Sequence, residues 1–148
     1  MDDHSADLVM LHHVIEHLAD IGPALAEAAR VLRRGGHIVI TTPNPDALGR
    51  VRWGHHWRGY EAPRHLRLYT LAALRRVLSR AGLDVRIART SARAVPFMDK
   101  EAATASGARL PWAWARWWLD DRAILATHAR LHRGENLGEE LFVVAQKA

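Results

Sequence analysis

Asp7-Leu-Val-Met-Leu-His-His-Val-Ile-Glu-His-Leu18 is the stretch on which the reading of this chain turns. An apolar run of strand length, Leu8 to Leu11, breaks into polar residues where a parallel strand would end. A run of this kind reads as a strand buried on both faces. In open α/β sheets, ligands bind outside the carboxyl ends of the strands. Four ionisable side chains, His12, His13, Glu16 and His17, are thereby delivered to the usual place for chemistry. No segment ahead of this strand in the sequence could cradle a cofactor.

Working outward, a helix is expected over roughly 22–33. Pro23 suits its first turn, Leu25, Ala28, Ala29 and Leu32 fall at helical spacing, and Gly35-Gly36 gives the stop. His37-Ile-Val-Ile-Thr41 reads as a second, β-branched strand. Residues 43–69 form a long connection without a clear period, and connections of that length in compact domains are usually functional or disordered. Thr70 is a fitting N-cap for a helix over 71–81 that presents Leu71, Leu74, Val77 and Leu78 on one face, with Gly82 closing it. A strand near Leu83–Ala88 follows, then a small, polar stretch over 91–108 that reads as a loop. An apolar stripe through Leu110, Trp114, Trp117, Trp118, Ile124, Leu125 and Leu131 predicts a further helix, and Glu140–Ala145 a last strand. The order is that of an α/β domain whose final strand lacks a crossover helix.

Composition narrows the classes. At 148 residues, 49% hydrophobic and 25% charged, the chain is one globular domain long. It has no cysteine, which excludes disulfides and thiolate metal sites and suits a cytoplasmic location. No uncharged apolar run approaches the ~18 residues of a membrane span. The net charge is +5. The Arg residues are scattered, which fits a GC-rich coding sequence better than a nucleic-acid or acidic-lipid surface.

Six segments, taken in order, resemble the second half of a class I S-adenosylmethionine-dependent methyltransferase of the small-molecule type 11/23 kind. Ser5-Ala-Asp-Leu-Val with His13-Val-Ile-Glu-His-Leu18 resembles the fourth strand and its turn. Ala29-Arg-Val-Leu-Arg-Arg-Gly-Gly36 resembles the turn into strand five, and Thr42-Pro-Asn-Pro45 the loop after it. Trp57-Arg-Gly-Tyr-Glu-Ala-Pro-Arg-His-Leu66 with Tyr69-Thr70 resembles the family's P-R-H segment. Leu78-Ser-Arg-Ala-Gly-Leu83 and Glu139-Glu-Leu-Phe-Val-Val-Ala145 resemble the approaches to strands six and seven. The resemblance covers 5–90 and 138–147. It departs from the family at Arg34, where Pro is usual, and at Ala6, where an aromatic is usual. It also lacks the family's Gly-rich cofactor turn, which needs glycine for close backbone approach to the ligand: ten glycines are present and none form a G-x-G pair.

The resemblance implies an α/β fold, the C-terminal half of a Rossmann-like sheet holding strands four to seven with the last antiparallel, and a Trp-rich helical insert. Residues 1–148 would be one incomplete domain, with 91–138 a cap or insert within it. The implied activity is methyl transfer from S-adenosylmethionine to a small-molecule acceptor, with this chain a truncated form that is inactive alone. His12, His13 and Glu16 would line the cofactor, His13 and His17 would be catalytic, and Asn44, Trp57, Arg64 and His65 would contact substrate. A neutral His is the sensible base for a hydroxyl acceptor, and His13, His17 and His65 are the candidates.

Other readings stand beside these. Glu16 and His17 also fit a purely structural hydrogen-bond pair at a turn. His13-Val-Ile-Glu-His17 matches the inverted zinc-protease pattern H-x-x-E-H, which needs a continuous helix and a third ligand downstream; a strand comes before it here, and no metal is expected. A non-catalytic module that binds nucleic acid or anionic membrane through Arg and Trp surfaces is the alternative from another class, with the Trp112, Trp114, Trp117 and Trp118 helix as the membrane candidate and nucleic acid the weaker one. An apolar edge at Leu8–Leu11 would also invite a partner chain supplying the missing strands, or self-association.

Overall fold

In the computed structural model, which describes residues 1–92, 94–107, 125, 129, 130, 133 and 135–148, the Leu8–Leu11 run lies inside strand β1 (Ala6–His12). β1 pairs in parallel with β2 (Leu32–Pro43), in a register that sets Val9 against Ile38 and Leu11 against Ile40. The last strand, β4 (Glu140–Lys147), inserts antiparallel between β2 and β3 (Leu83–Ser91). The sheet order is therefore β1-β2-β4-β3. Antiparallel placement removes the need for a crossover helix before β4.

One face of this sheet carries the core. Ile38 and Ile40 of β2 lie opposite Ala145 and Val143 of β4, and all four are buried. Two helices supply apolar residues to the same cluster. From α1 (Gly22–Val31) come Leu25 and Ala28, and from α3 (Leu71–Arg80) come Leu71, Leu74 and Leu78. Pro23 lies in the first turn of α1, as expected. Thr70 caps α3, its Oγ1 accepting from the Ala73 amide at 3.2 Å. Gly82 follows at φ 73°, a left-handed conformation that ends the helix and that only glycine adopts freely.

The other face is open. Leu8 is 52% and Met10 63% exposed, and Ile87 of β3 is exposed too. The expected burial of β1 on both faces is thus corrected. The strand is an edge, and among the described residues nothing covers the side that Leu8 and Met10 present.

Two further expectations change. The 43–69 connection holds a short helix, α2 (Leu48–Trp53), and two single 3-10 turns, Gly54–His56 and Arg58–Tyr60. The stretch expected as a loop over 91–108 contains α4 (Val95–Ala105). Met98 of α4 packs with Ala47 and Trp57 in a second small core, which explains why a segment of weak amphipathic pattern is helical. Apart from residues 125, 129 and 130, the Trp-rich helix expected at 110–131, its four Trp included, lies outside the described residues. No helix among the described residues is long and apolar enough to cross a membrane.

Candidate functional site

Where β1 ends, the chain turns sharply. His13 adopts φ 50°, a left-handed conformation that costs a non-glycine residue on the order of 1 kcal/mol. Its amide donates to the Thr41 carbonyl at 3.0 Å, so the turn is still tied to the end of β2. A single 3-10 turn, Ile15–His17, follows. Thr42 Oγ1 donates to Glu16 Oε2 at 3.0 Å from β2. The protease-like pattern therefore has no helix to sit on: His13 and His17 bracket one turn and do not share a helical face.

A second segment is fastened across this turn. The Leu66 and Arg67 amides donate to the Glu16 carbonyl at 2.7 and 3.2 Å. His17 Nδ1 donates to the Arg64 carbonyl at 2.9 Å, and His65 Nδ1 to the Gly59 carbonyl at 2.7 Å. The two rings lie 4.9 Å apart. Glu61 forms ion pairs with Arg58 at 2.7 Å and Arg64 at 2.6 Å. Burial pushes the Glu61 carboxyl up, but the bond and charge of Arg58, with the charges of Arg64 and His65, outweigh it and hold the group below the usual range.

Between these segments lies a cavity of about 370 Å3, lined by His13, His17, Arg58, Arg64, His65 and Glu140 among others. His65 also borders a larger and shallower depression of about 720 Å3, together with Arg50, His55 and Tyr60. The chemistry concentrates in the smaller one. His13 Nε2 donates to Glu140 Oε1 at 2.8 Å, and His13 Nδ1 to Glu16 Oε1 at 2.9 Å. The hydrogen bonds to Glu140 and then Glu16 outweigh burial and raise the His13 pKa to about 9. Burial pushes Glu16 up, yet the bond from His13, its own backbone and Thr42 together hold its carboxyl below the usual range. Glu16 is fully buried, so an ionised carboxylate there requires those donors.

Of the residues expected at the site, His13, His17, Arg64 and His65 come together on the cavity wall. Glu16 stands behind them. His12 lies at the end of β1, its Nδ1 bonded to Thr41 Oγ1, with its ring edge against His13. Asn44 and Trp57 spend their polar atoms on the chain itself. Asn44 Nδ2 donates to the Asn136 and Gly138 carbonyls, and buried Trp57 donates to Glu139 Oε2 at 2.7 Å. Sequence reasoning missed Glu140 and Glu61. The Glu139-Glu140 pair at the start of the last strand was visible, but its partners lie far away in the chain.

A methyltransferase-domain family model matches residues 2–87. A probable S-adenosylmethionine-dependent methyltransferase of Mycolicibacterium smegmatis is 35% identical over 85 residues, which is 57% of this chain and 31% of that protein. An uncharacterized 37.1 kDa protein in a Streptomyces fradiae transposon is 46% identical over 48 residues, 32% of this chain and 14% of that one. Among solved structures, a SAM-dependent methyltransferase of Thermotoga maritima, described as a possible histamine N-methyltransferase, superposes with TM-score 0.60 at 13% identity, covering 100% of this chain and 58% of that one. The cyclase SpnF does so with TM-score 0.60 at 19% identity, covering 99% and 51%. At such identities the likeness is one of fold, and this fold carries more than one chemistry. The chain spans less than a third of the curated relatives and a little over half of these solved chains.

Proposed function

This chain belongs to the methyltransferase-domain family, and on that premise we propose that it forms the acceptor-side half of an enzyme that moves a methyl group from S-adenosylmethionine to a small molecule. The observation that carries the reading is the His- and Glu-lined cavity at the carboxyl ends of β1 and β2, where α/β sheets bind ligands.

The cofactor would supply an electrophilic methyl carbon; what a protein adds is positioning, a dry pocket and a proton acceptor. The described residues fit that cofactor only in part. His12 and His13 offer one wall, and the ten glycines of the sequence include no G-x-G turn for the close backbone approach that such a cofactor needs. The acceptor side is better furnished. His13 keeps its proton at neutral pH and so serves as a fixed positive charge, not as a base. His17 and His65 each have Nδ1 committed to a carbonyl, so the neutral form of each ring carries its lone pair on Nε2 and can accept a proton from an acceptor hydroxyl. Arg64 rims the same cavity, and Arg58 Nε is buried there with no hydrogen-bond partner among the described residues.

The open sheet face supports the half-domain reading. Leu8, Met10 and Ile87 form an apolar surface that a complete doubly wound sheet would cover with helices. Arg30, Arg33, Arg58, Arg64 and Arg130 are engaged with carboxylates, which weighs against a nucleic-acid or membrane surface. The test is calorimetry and turnover with S-adenosylmethionine. The purified chain should neither bind the cofactor at micromolar levels nor turn over. A chimera completed with the first half of the Mycolicibacterium relative should bind it. Binding by the chain alone, or none by a folded chimera, overturns the reading.

A further inference from the structure

We propose that Glu16, His17 and His65 form a binding site for a divalent transition-metal ion of Zn2+-like character. One potential ligand atom from each of the three lies within 4.8 Å of the others. A triangle of that side has its centre about 2.8 Å from each corner, so each atom closes by roughly 0.7 Å to reach metal-bond length. Two imidazoles and one carboxylate, with a position left open, make a donor set suited to borderline divalent ions.

Proximity is not the only argument. Metal-binding side chains are usually held by a second ring of hydrogen bonds, a histidine giving its other N–H to a carbonyl and a carboxylate being itself hydrogen-bonded. All three residues have such partners. His17 Nδ1 donates to the Arg64 carbonyl and His65 Nδ1 to the Gly59 carbonyl, the tautomer that puts the lone pair of a neutral ring on Nε2. Glu16 receives His13 on one oxygen and Thr42 on the other, and each oxygen keeps a lone pair for a further ligand. The backbone fastens the two segments before any ion arrives, through the Leu66 and Arg67 amides on the Glu16 carbonyl. Glu61 Oε2 lies 3.5 Å from His65 Nε2, longer than a good hydrogen bond, and is already paired with Arg58, while Oε1 is paired with Arg64. It is not counted as a ligand.

The pattern H-x-x-E-H thus marks a metal site after all, by a different geometry. Its Glu and second His act as ligands, and the third ligand comes from the Arg64-His65 segment. His17 and His65 line the cavity, so the open position faces it. An oxygen of the acceptor would fill that position, and the ion would lower the pKa of a bound hydroxyl, the task otherwise left to a base. That role rests on the methyl-transfer reading; the binding of the ion does not.

The experiment therefore uses neither cofactor nor acceptor. Metal-free full chain is titrated with Co2+ and followed by visible absorbance, with Zn2+ competition. One Co2+ per chain is expected, with the intense bands of four- or five-coordination, displaced by Zn2+. His17→Ala and His65→Ala should each weaken binding by more than about tenfold, as should Glu16→Gln, which keeps the side chain's shape. The double variant at His55 and His56, neither of them buried, both to Ala, should bind as the parent does. No binding by the parent chain, or binding lost at His55 and His56 and kept in the other variants, overturns the proposal. Should an alanine variant unfold by circular dichroism, the parent's stoichiometry and Glu16→Gln still decide it.

Discussion

His13 and Glu140 stand 127 positions apart in the chain and are joined by a 2.8 Å hydrogen bond from His13 Nε2. Glu16 accepts from the other ring nitrogen at 2.9 Å. An imidazole that donates from both nitrogens is an imidazolium. The first bond links the end of β1 to the start of β4, across β2, which separates them in the sheet.

Replacing Glu140 by Gln should lower the His13 pKa from about 9 toward the ordinary 6.5, since the carboxylate whose hydrogen bond raises it most becomes a neutral amide while Glu16 remains. An NMR titration of the His13 ring resonances measures this. An unmoved pKa would mean that Glu140 is not the partner in solution.

The same pair sets a pH dependence. A histidine whose pKa is higher folded than unfolded stabilises fully below about 6.5, and that contribution is lost as pH rises through about 9. Glu16, with its pKa held down, contributes at neutral pH and loses that contribution in acid. Urea midpoints should therefore decline on both sides of a neutral plateau. In His13→Ala the alkaline decline should flatten.

Trp57→Phe removes the donor to Glu139, a carboxylate only 2% exposed. Leaving a buried acceptor one partner short costs about 1–3 kcal/mol. Gly59→Ala attacks the same core sterically, because a Cβ there would lie 2.1 Å from the Trp57 ring, a buried group with little room to move. A loss of about 1–3 kcal/mol is expected. Both are read by denaturant unfolding.

Thr70→Ala should cost about 1 kcal/mol through loss of the cap on α3. Thr70→Ser, which keeps an acceptor oxygen, should recover most of it.

Met10→Lys should leave stability nearly unchanged, since the side chain is 63% exposed, while suppressing concentration-dependent association. Sedimentation velocity compares the two proteins. Equal association in both would exclude this edge and face as the sticky surface.

Local signals were legible where local physics decides. Thr70, Gly82 and the period of Leu71, Leu74 and Leu78 fixed α3 within a residue. The helix at 95–105 was not legible, because its stability comes from packing Met98 against Ala47 and Trp57, and its own pattern is weak. The exposure of β1 could not be read from an apolar run, which looks the same in a central strand and at an edge. At the site, His13, His17, Arg64 and His65 were found because each carries chemistry in its side chain. Glu140 and Glu61 were not, because their importance lies in partners that only the fold brings near. Asn44 and Trp57 drew attention for the same chemical reason, yet their polar atoms hold the connection to the residues just before β4.

The insertion of β4 between β2 and β3 has a kinetic consequence. Ile40 cannot meet Val143 until about a hundred intervening residues have been synthesised, and closing so long a loop is slow. Until then β2 and β3 have no direct neighbour in common, and the apolar flank of β2 waits unpaired on the ribosome. The order of the sheet thus makes residues 140–147 the latch of assembly: a nascent chain stalled before them is a half-built sheet with an adhesive edge, the form a chaperone would be expected to hold.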